Sequence, residues 1–199
     1  MNEAGMVEIV LASTSRYRRE LLARLLPSFR VQAPNVDEAA LPGESPFELA
    51  RRLALAKARA VAVEFGAALV IGSDQVAELD GRALGKPGSI DAAHAQLASC
   101  SGREVDFHTA LCVIDTRAGD DAVHSAVDRT RVVFRTLDAA TIKRYVEREQ
   151  PLDCAGSFKC EGLGIALFER IETLDPTALV GLPLIALARL LRECGMAIP

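Results

Sequence analysis

The chain has no tryptophan, only three histidines, and aromatic residues at just 5% of its 199 positions. Five cysteines (Cys100, Cys112, Cys154, Cys160 and Cys194) form no CxxC pair, and their odd number speaks against a complete disulfide framework. With His94, His108 and His124 scattered among them, a zinc site has no ligand cluster to rest on. The thiols read as small buried hydrophobes in a reducing compartment. Basic excess is also missing, because 23 Lys and Arg against 27 Asp and Glu give a formal charge of −4. A nucleic-acid partner is therefore not expected, and the shortage of aromatics disfavours an RNA- or cap-stacking surface. No run is long and apolar enough to span a bilayer, so no membrane partner is expected either. The opening MNEAGMVEIV has acidic residues where a secretion signal needs basic ones, and its apolar run stops at Ala12. These absences leave the cytoplasm as the expected compartment.

What is present is ordinary for a globular protein: half the residues are apolar and a quarter charged, enough to bury a substantial core. Nothing reads as a linker, so residues 1–199 are expected to form a single domain. Val7 to Ala12 is a short β-branched apolar run, a buried strand. Ser13, Thr14 and Ser15 then cap a helix that carries ELLARLL and closes at Pro27. A second strand is expected at Phe29 to Ala33. Ser45, Pro46 and Glu48 form a capping box that opens an Ala-rich helix reaching about Gly66. Ala67 to Gly72 is the pattern of a strand covered on both faces, with a tight turn at Asp80-Gly81 beyond it. A helix over Ile90 to Cys100 precedes long strands at Arg103 to Asp115 and Val123 to Phe134, joined through TRAGDD. A helix over Asp138 to Glu149, a strand over Gly162 to Ile171 and a last helix from Pro183 to Gly195 complete the pattern. Helices and strands interleave, which predicts an α/β class with a mixed sheet.

Five places carry residue types suited to chemistry. In STSRYRRELL a hydroxyl-rich turn meets a helix N-terminus, where free N–H groups and the dipole favour an anion, and Arg16, Arg18 and Arg19 crowd the same spot. A capped helix with a solvated basic first turn is the competing account. Asp74, in GSDQV, is expected near the carboxyl end of its strand, where open α/β sheets bind ligands, and burial there would suit a base. It reads equally as a turn aspartate capping the strand's exit. Asp37-Glu38 offers hard oxygens for magnesium or manganese, or is simply solvated. Lys57, on the flank of an apolar helix stripe, must either snorkel or meet an anion; Lys86 sits in the Gly/Pro-flanked loop LGKPG. CAGSFKCEG, Cys154 to Gly162, is expected between two strands, its glycines allowing close backbone approach to a ligand or building a structural turn.

Taken in order, LASTSRYRRELL, APNVDE, LALAKA, IGSDQV, LGKP, FRTL, PLDCAGSFKCEGLG and VGLPLIAL resemble the Maf family of nucleotide pyrophosphatases over almost the whole chain. GSDQV and GSFKCEG are similar to the subfamily acting on 7-methyl-GTP, whereas the dTTP/UTP subfamily carries Thr after the aspartate and Gln in place of Glu161. The resemblance implies a Maf/ITPase-like fold: an elongated mixed, twisted sheet flanked by helices, in two lobes around a central cleft. It implies Asp74 as catalytic base, Ser13, Arg18, Lys57 and Lys86 on the phosphates, and Glu38 with Asp74 on a divalent metal cation, magnesium or manganese. Tyr17, Gln75 and Glu161 fall where it places substrate specificity. A homodimer is part of the same expectation.

The expected reaction is metal-assisted attack of water at the α-phosphate of a nucleoside triphosphate, giving 7-methyl-GMP and pyrophosphate from 7-methyl-GTP. The rivals are the same reaction on dTTP, UTP or another triphosphate, and a nucleotide-sensing, division-regulating protein without turnover. Three departures from the family pattern stand out: Arg16 replaces a usual proline, Tyr17 a frequent tryptophan, and Cys160 a small polar residue.

Overall fold

A computed structural model of the chain describes residues 7–117 and 122–199. The first half builds β1 (Glu8–Ala12), α1 (Arg16–Leu25), β2 (Arg30–Gln32) and α2 (Pro46–Ala62). A hairpin of β3 (Ala68–Leu79) and β4 (Arg82–Leu84) follows, then α3 (Ile90–Cys100). The second half adds β5 (Glu104–Asp115), β6 (Ala122–Phe134), α4 (Ala139–Glu149), β7 (Phe168–Glu172) and α5 (Leu184–Glu193). The strands form one seven-stranded sheet in the order β2-β1-β3-β5-β6-β7, with β4 added to β3. β1 lies parallel to β2 and β3, and every other pairing is antiparallel. This is the expected α/β class with a mixed sheet.

Local chemistry accounts for the element ends. Ser45 accepts from the Glu48 amide while the Glu48 carboxylate accepts from the Ser45 amide, and Pro46 opens the helix behind that box. Ser89 and Asp138 cap α3 and α4 from one side only, each accepting from an amide of the first turn. Asp80 and Gly81, both left-handed with φ of 51° and 77°, turn β3 into β4.

Three apolar clusters cover the sheet. α2 lays Leu49, Leu53, Ala54, Ala58 and Val61 on one face of β1, β3 and β5. α1 and α5 cover the other face with Leu21, Leu22, Leu187, Leu190 and Leu191. α3 and α4 close the far end of the sheet around Phe107, Phe134, Phe158 and Phe168. Each fully buried leucine or phenylalanine contributes roughly 1.5–3 kcal/mol.

One contact fixes where α2 sits. A Cβ on Gly72 would fall 2.3 Å from the Ala54 carbonyl oxygen and 2.7 Å from the Ala58 amide. The helix therefore rests directly on the strand backbone, which only glycine permits.

Three expectations change. β3 does not end after Gly72: it runs on to Leu79 because residues 69–78 pair continuously with β5, so Asp74 lies in mid-strand. The strand expected over 162–171 is divided into a 3-10 turn at Leu163–Leu167 and β7, because Gly164 packs against the Lys159 carbonyl and curls the chain. CAGSFKCEG accordingly lies between α4 and that turn, not between two strands. Residues 118–121 of TRAGDD and residues 1–6 at the N-terminus lie outside the described residues. Among the described residues no helix is long and apolar enough to cross a membrane.

Candidate active site

On one edge of β3, β1 pairs with Ala68 to Gly72 and β4 pairs with Ala77 to Leu79, while β5 follows the opposite edge from Leu69 to Glu78. Ser73 to Val76 therefore have a strand neighbour on only one side. A cavity of about 670 Å³ opens at this gap. Successive strand residues face opposite ways, so Asp74 points to the α2 face of the sheet and Gln75 to the other; both line the cavity. The cleft reaches both faces of the sheet through the gap.

One end of the cavity is charged. Lys57, on α2, is buried and places its Nζ 2.6 Å from Asp74 Oδ1 and 2.6 Å from Glu38 Oε1. Of the two fates open to a lysine on that stripe, meeting an anion is the one realised. The approach of α2 onto Gly72 is what brings Lys57 within reach of Asp74, two residues further along β3. Lys57 holds the Glu38 carboxyl below its ordinary value, chiefly through their hydrogen bond, and Lys86 and Arg18 add to this against the opposing effect of burial. Lys86 itself is exposed at the mouth, in the loop after β4.

Arg18 comes from the first turn of α1, behind the Ser15 cap. Its Nε donates to the Gly181 carbonyl at 2.9 Å, and burial lowers its pKa while Asp74 and Glu38 act in the opposite direction. Ser13 is buried at the start of the same turn and accepts from the Ser15 amide at 3.1 Å. Three cations (Arg18, Lys57, Lys86) against two carboxylates (Glu38, Asp74) leave one net positive charge at this end. That suits a polyanion.

The other end is uncharged except at its rim. Tyr17, Phe107, Phe158, Cys154 and Glu161 line it. Phe158 anchors the segment by edge-on contacts with Phe107, Phe134 and Phe168, centroids 4.7–5.8 Å apart. Gly156, at φ 74°, would bring a Cβ within 3.1 Å of the Phe107 ring, and one on Gly162 would lie 2.8 Å from the Glu149 carboxylate. These two glycines answer to structural neighbours and not to the cavity. Glu161 is exposed. The Tyr17 phenol is pushed up by burial first, then by Cys154 and Glu161, so Tyr17 and Glu161 share one electrostatic neighbourhood. The Arg16 guanidinium stands 5.1 Å from the Tyr17 ring centroid. Burial pushes both Cys154 and Cys160 to about 12, which makes them thiols and not nucleophiles.

Ser13, Tyr17, Arg18, Glu38, Lys57, Asp74, Gln75, Lys86 and Glu161 thus line this cavity together with Arg16, whereas Arg19, Asp37 and Cys160 do not. The family of Maf-like proteins matches over residues 8–194. The chain belongs to the Maf family.

Among its relatives, a protein of Xanthomonas campestris pv. campestris (strain 8004) is 59% identical over 98% of this chain and 100% of its own length. One from Burkholderia thailandensis is 55% identical over 96% of this chain and 90% of its own, and one from Albidiferax ferrireducens 52% identical over 100% and 98%. All three are described as 7-methyl-GTP pyrophosphatases. The Staphylococcus aureus Ham1 protein aligns with 94% of this chain and 99% of its own at 18% identity and a TM-score of 0.49.

Two residues behind this Maf-family cavity had no residue-level signal. Ser73 and Thr109 are fully buried and bond to the backbone around Gly181. Ser73 sits inside GSDQV and VGLP carries Gly181, yet neither pattern said that these segments touch. Nothing in its neighbourhood marked Thr109.

Proposed function

We propose that the chain hydrolyses 7-methyl-GTP to 7-methyl-GMP and pyrophosphate. The observation that carries this reading is the buried Lys57 ammonium held at 2.6 Å by both Asp74 and Glu38, beside Arg18, in a cavity whose other end has a ring and a carboxylate. The relatives' shared description supports the choice of substrate. Lining residues come from Ser13 to Gly181, which supports treating 1–199 as one domain.

The donor set suits a hard divalent cation. Glu38 Oε1 and Asp74 Oδ1 converge on the Lys57 ammonium, and the second oxygen of each carboxylate has no partner among the described residues, which supports a cation beside Lys57. No third His, Cys, Asp or Glu joins them among the described residues. Magnesium commonly takes one or two carboxylates and completes its shell from phosphate and water, so Glu38 and Asp74 would hold it. When bound, such an ion supplies charge neutralisation on the phosphates.

The rest of the chemistry belongs to the chain. Arg18 and Lys86 bind the phosphates, with the Ser13 hydroxyl and the α1 N-terminus beside them. Asp74 orients a water in line with the α-phosphorus and accepts its proton. The P–O bond to the β-phosphate breaks as the water oxygen bonds to phosphorus, and the cations stabilise charge on the departing pyrophosphate. Glu161 faces the positive charge that N7-methylation gives the guanine and accepts from its N1–H and amino group, while Tyr17 stacks on the ring.

The test is pyrophosphate release with magnesium from a panel of nucleoside triphosphates, for the wild type and Asp74→Ala. Release from 7-methyl-GTP above GTP, dTTP and UTP, lost in the variant, is expected. Release from dTTP or UTP instead would keep the reaction and discard the base reading. Binding without release from any triphosphate would favour a sensor.

A further inference from the structure

Gln75 lies at a position the family resemblance associates with substrate specificity, but its side chain is spent elsewhere. Its Nε2 is 3.0 Å from Thr109 Oγ1, 2.9 Å from the Ala178 carbonyl and 3.1 Å from the Leu179 carbonyl. Two amide hydrogens facing three acceptors leave no donor for a nucleobase. Turning the amide over would set its oxygen against two carbonyls, so the orientation is fixed by the partners themselves.

Thr109 Oγ1 also donates to the Ala178 carbonyl at 3.0 Å. Ser73 Oγ lies 2.8 Å from the Ala110 carbonyl and 3.1 Å from that of Gly181, sharing its one hydrogen. Three side chains on one face of β3 and β5 thus grip three carbonyls of a single 3-10 turn, Ala178–Val180, and the glycine after it. Gly181 adopts φ 121°, which glycine tolerates and other residues rarely do. Asp175 ties the turn from behind. It accepts from the Thr177 amide and hydroxyl at 2.9 and 2.6 Å and from the Ile185 amide at 2.7 Å.

The Gly181 carbonyl accepts from Arg18 Nε at 2.9 Å, and this is where the turn meets the cavity. With Nε tied, the guanidinium plane is fixed and both terminal nitrogens are left for a phosphate fork. Released, the same cation would be drawn to Asp74 and Glu38, both of which act on it.

We propose that Gln75, with Thr109 and Ser73, is a positioning residue: it holds the 178–181 backbone so that the Gly181 carbonyl aims Arg18 at the substrate's phosphates. This inference rests on the reading of Arg18 as a phosphate ligand. Its consequence is that Gln75 and Thr109 act on the phosphate end alike for every triphosphate, whatever the base.

The experiment uses Thr109→Val, which keeps the shape and loses the hydroxyl, Thr109→Ser, which keeps the hydroxyl, and Gln75→Met. Inorganic tripolyphosphate serves as a probe with no base, its affinity read by calorimetry alongside pyrophosphate release from the triphosphate panel. Thr109→Val and Gln75→Met are each expected to weaken tripolyphosphate binding roughly tenfold and to lower kcat/KM by the same factor for all triphosphates, their ratios unchanged. Thr109→Ser restores both. In an Arg18→Ala background Thr109→Val should cost nothing further, since the group it aims is gone.

A changed preference among nucleotides in Gln75→Met with tripolyphosphate affinity intact would overturn the proposal and return Gln75 to base reading. A full additional loss in the Arg18→Ala background would overturn it as well. The two readings fail separately: a wild type that releases no pyrophosphate but binds tripolyphosphate in a Thr109-dependent way sinks the reaction and keeps the positioning. A wild type that does not bind tripolyphosphate sinks the positioning.

Discussion

The two ends of the cavity are built by opposite means. At the phosphate end Arg18, Lys57 and Asp74 stand on regular elements, with Glu38 and Lys86 reaching in from loops, and the buried Lys57–Asp74 pair is clamped by a helix lying on bare strand backbone. At the base end Tyr17 and Glu161 stand near solvent, and Glu161 belongs to a segment of turns held from behind by Phe158. Buried charges tolerate no slack, because separating a desolvated pair costs several kcal/mol. A ring and an exposed carboxylate tolerate a good deal. A cavity made this way keeps its chemistry while its base preference shifts by a few substitutions.

The largest break should come from Lys57→Met. It leaves Asp74 buried beside Glu38 with no cation between them, so a loss of about 3 kcal/mol or more in unfolding free energy is expected together with loss of turnover. Chemical denaturation and pyrophosphate release read the two; unchanged stability would mean that the pair is not desolvated. Next in size is Gly72→Ala. The added methyl meets backbone atoms 2.3 and 2.7 Å away and must push α2 off β3, at a cost of about 1–3 kcal/mol and with Lys57 drawn away from Asp74. Activity should fall further than stability, and the reverse order would detach the close packing from the chemistry.

Glu161→Gln sharpens the contrast from the other side. Because Glu161 is exposed, its melting temperature should stay within a degree or two of the wild type, while preference for 7-methyl-GTP over GTP drops about tenfold through loss of the charge. Unchanged selectivity would remove Glu161 from base recognition.

The smallest effect concerns pH. Lys57, Lys86 and Arg18 hold Glu38 below its ordinary value of 4.5 in the fold. Its stabilisation is fully present above that value and fades as pH falls through the lower folded value, where the folded carboxylate takes up its proton. Glu38→Gln should therefore lower stability modestly above about pH 4.5 and flatten the acid limb below it, the two proteins converging as pH falls, which melting curves at a series of pH values would show.

The same contrast explains what could be read from the sequence. At the phosphate end, helix caps, a lysine on an apolar stripe and a carboxylate near a strand's end marked candidates by local physics, each with a bland rival reading, and the ordered resemblance to the Maf family assigned their roles. The α/β class, the capping box at Ser45 and the Asp80-Gly81 turn were visible by the same local physics. The extension of β3 past Gly72 was not, since it depends on pairing with a strand more than thirty residues away. Nor was the 3-10 curl around Gly164, or the grip of Gln75 and Thr109 on a turn 103 and 69 residues further along the chain. Contacts between remote segments leave no periodicity to find.

β5 and β6, 12 and 13 residues long, run unbroken beneath both ends of the cleft for about 40 Å at roughly 3.3 Å per residue. Such a continuous slab has no flexible joint at which two jaws could swing apart. Entry of substrate and escape of product must then come from flexing at the rim, in the segments that carry Arg16, Glu38 and Glu161. Amide hydrogen exchange should slow there when a nucleotide binds and stay unaltered along β5 and β6; slowing along the strands would instead mean that the sheet itself works as a spring.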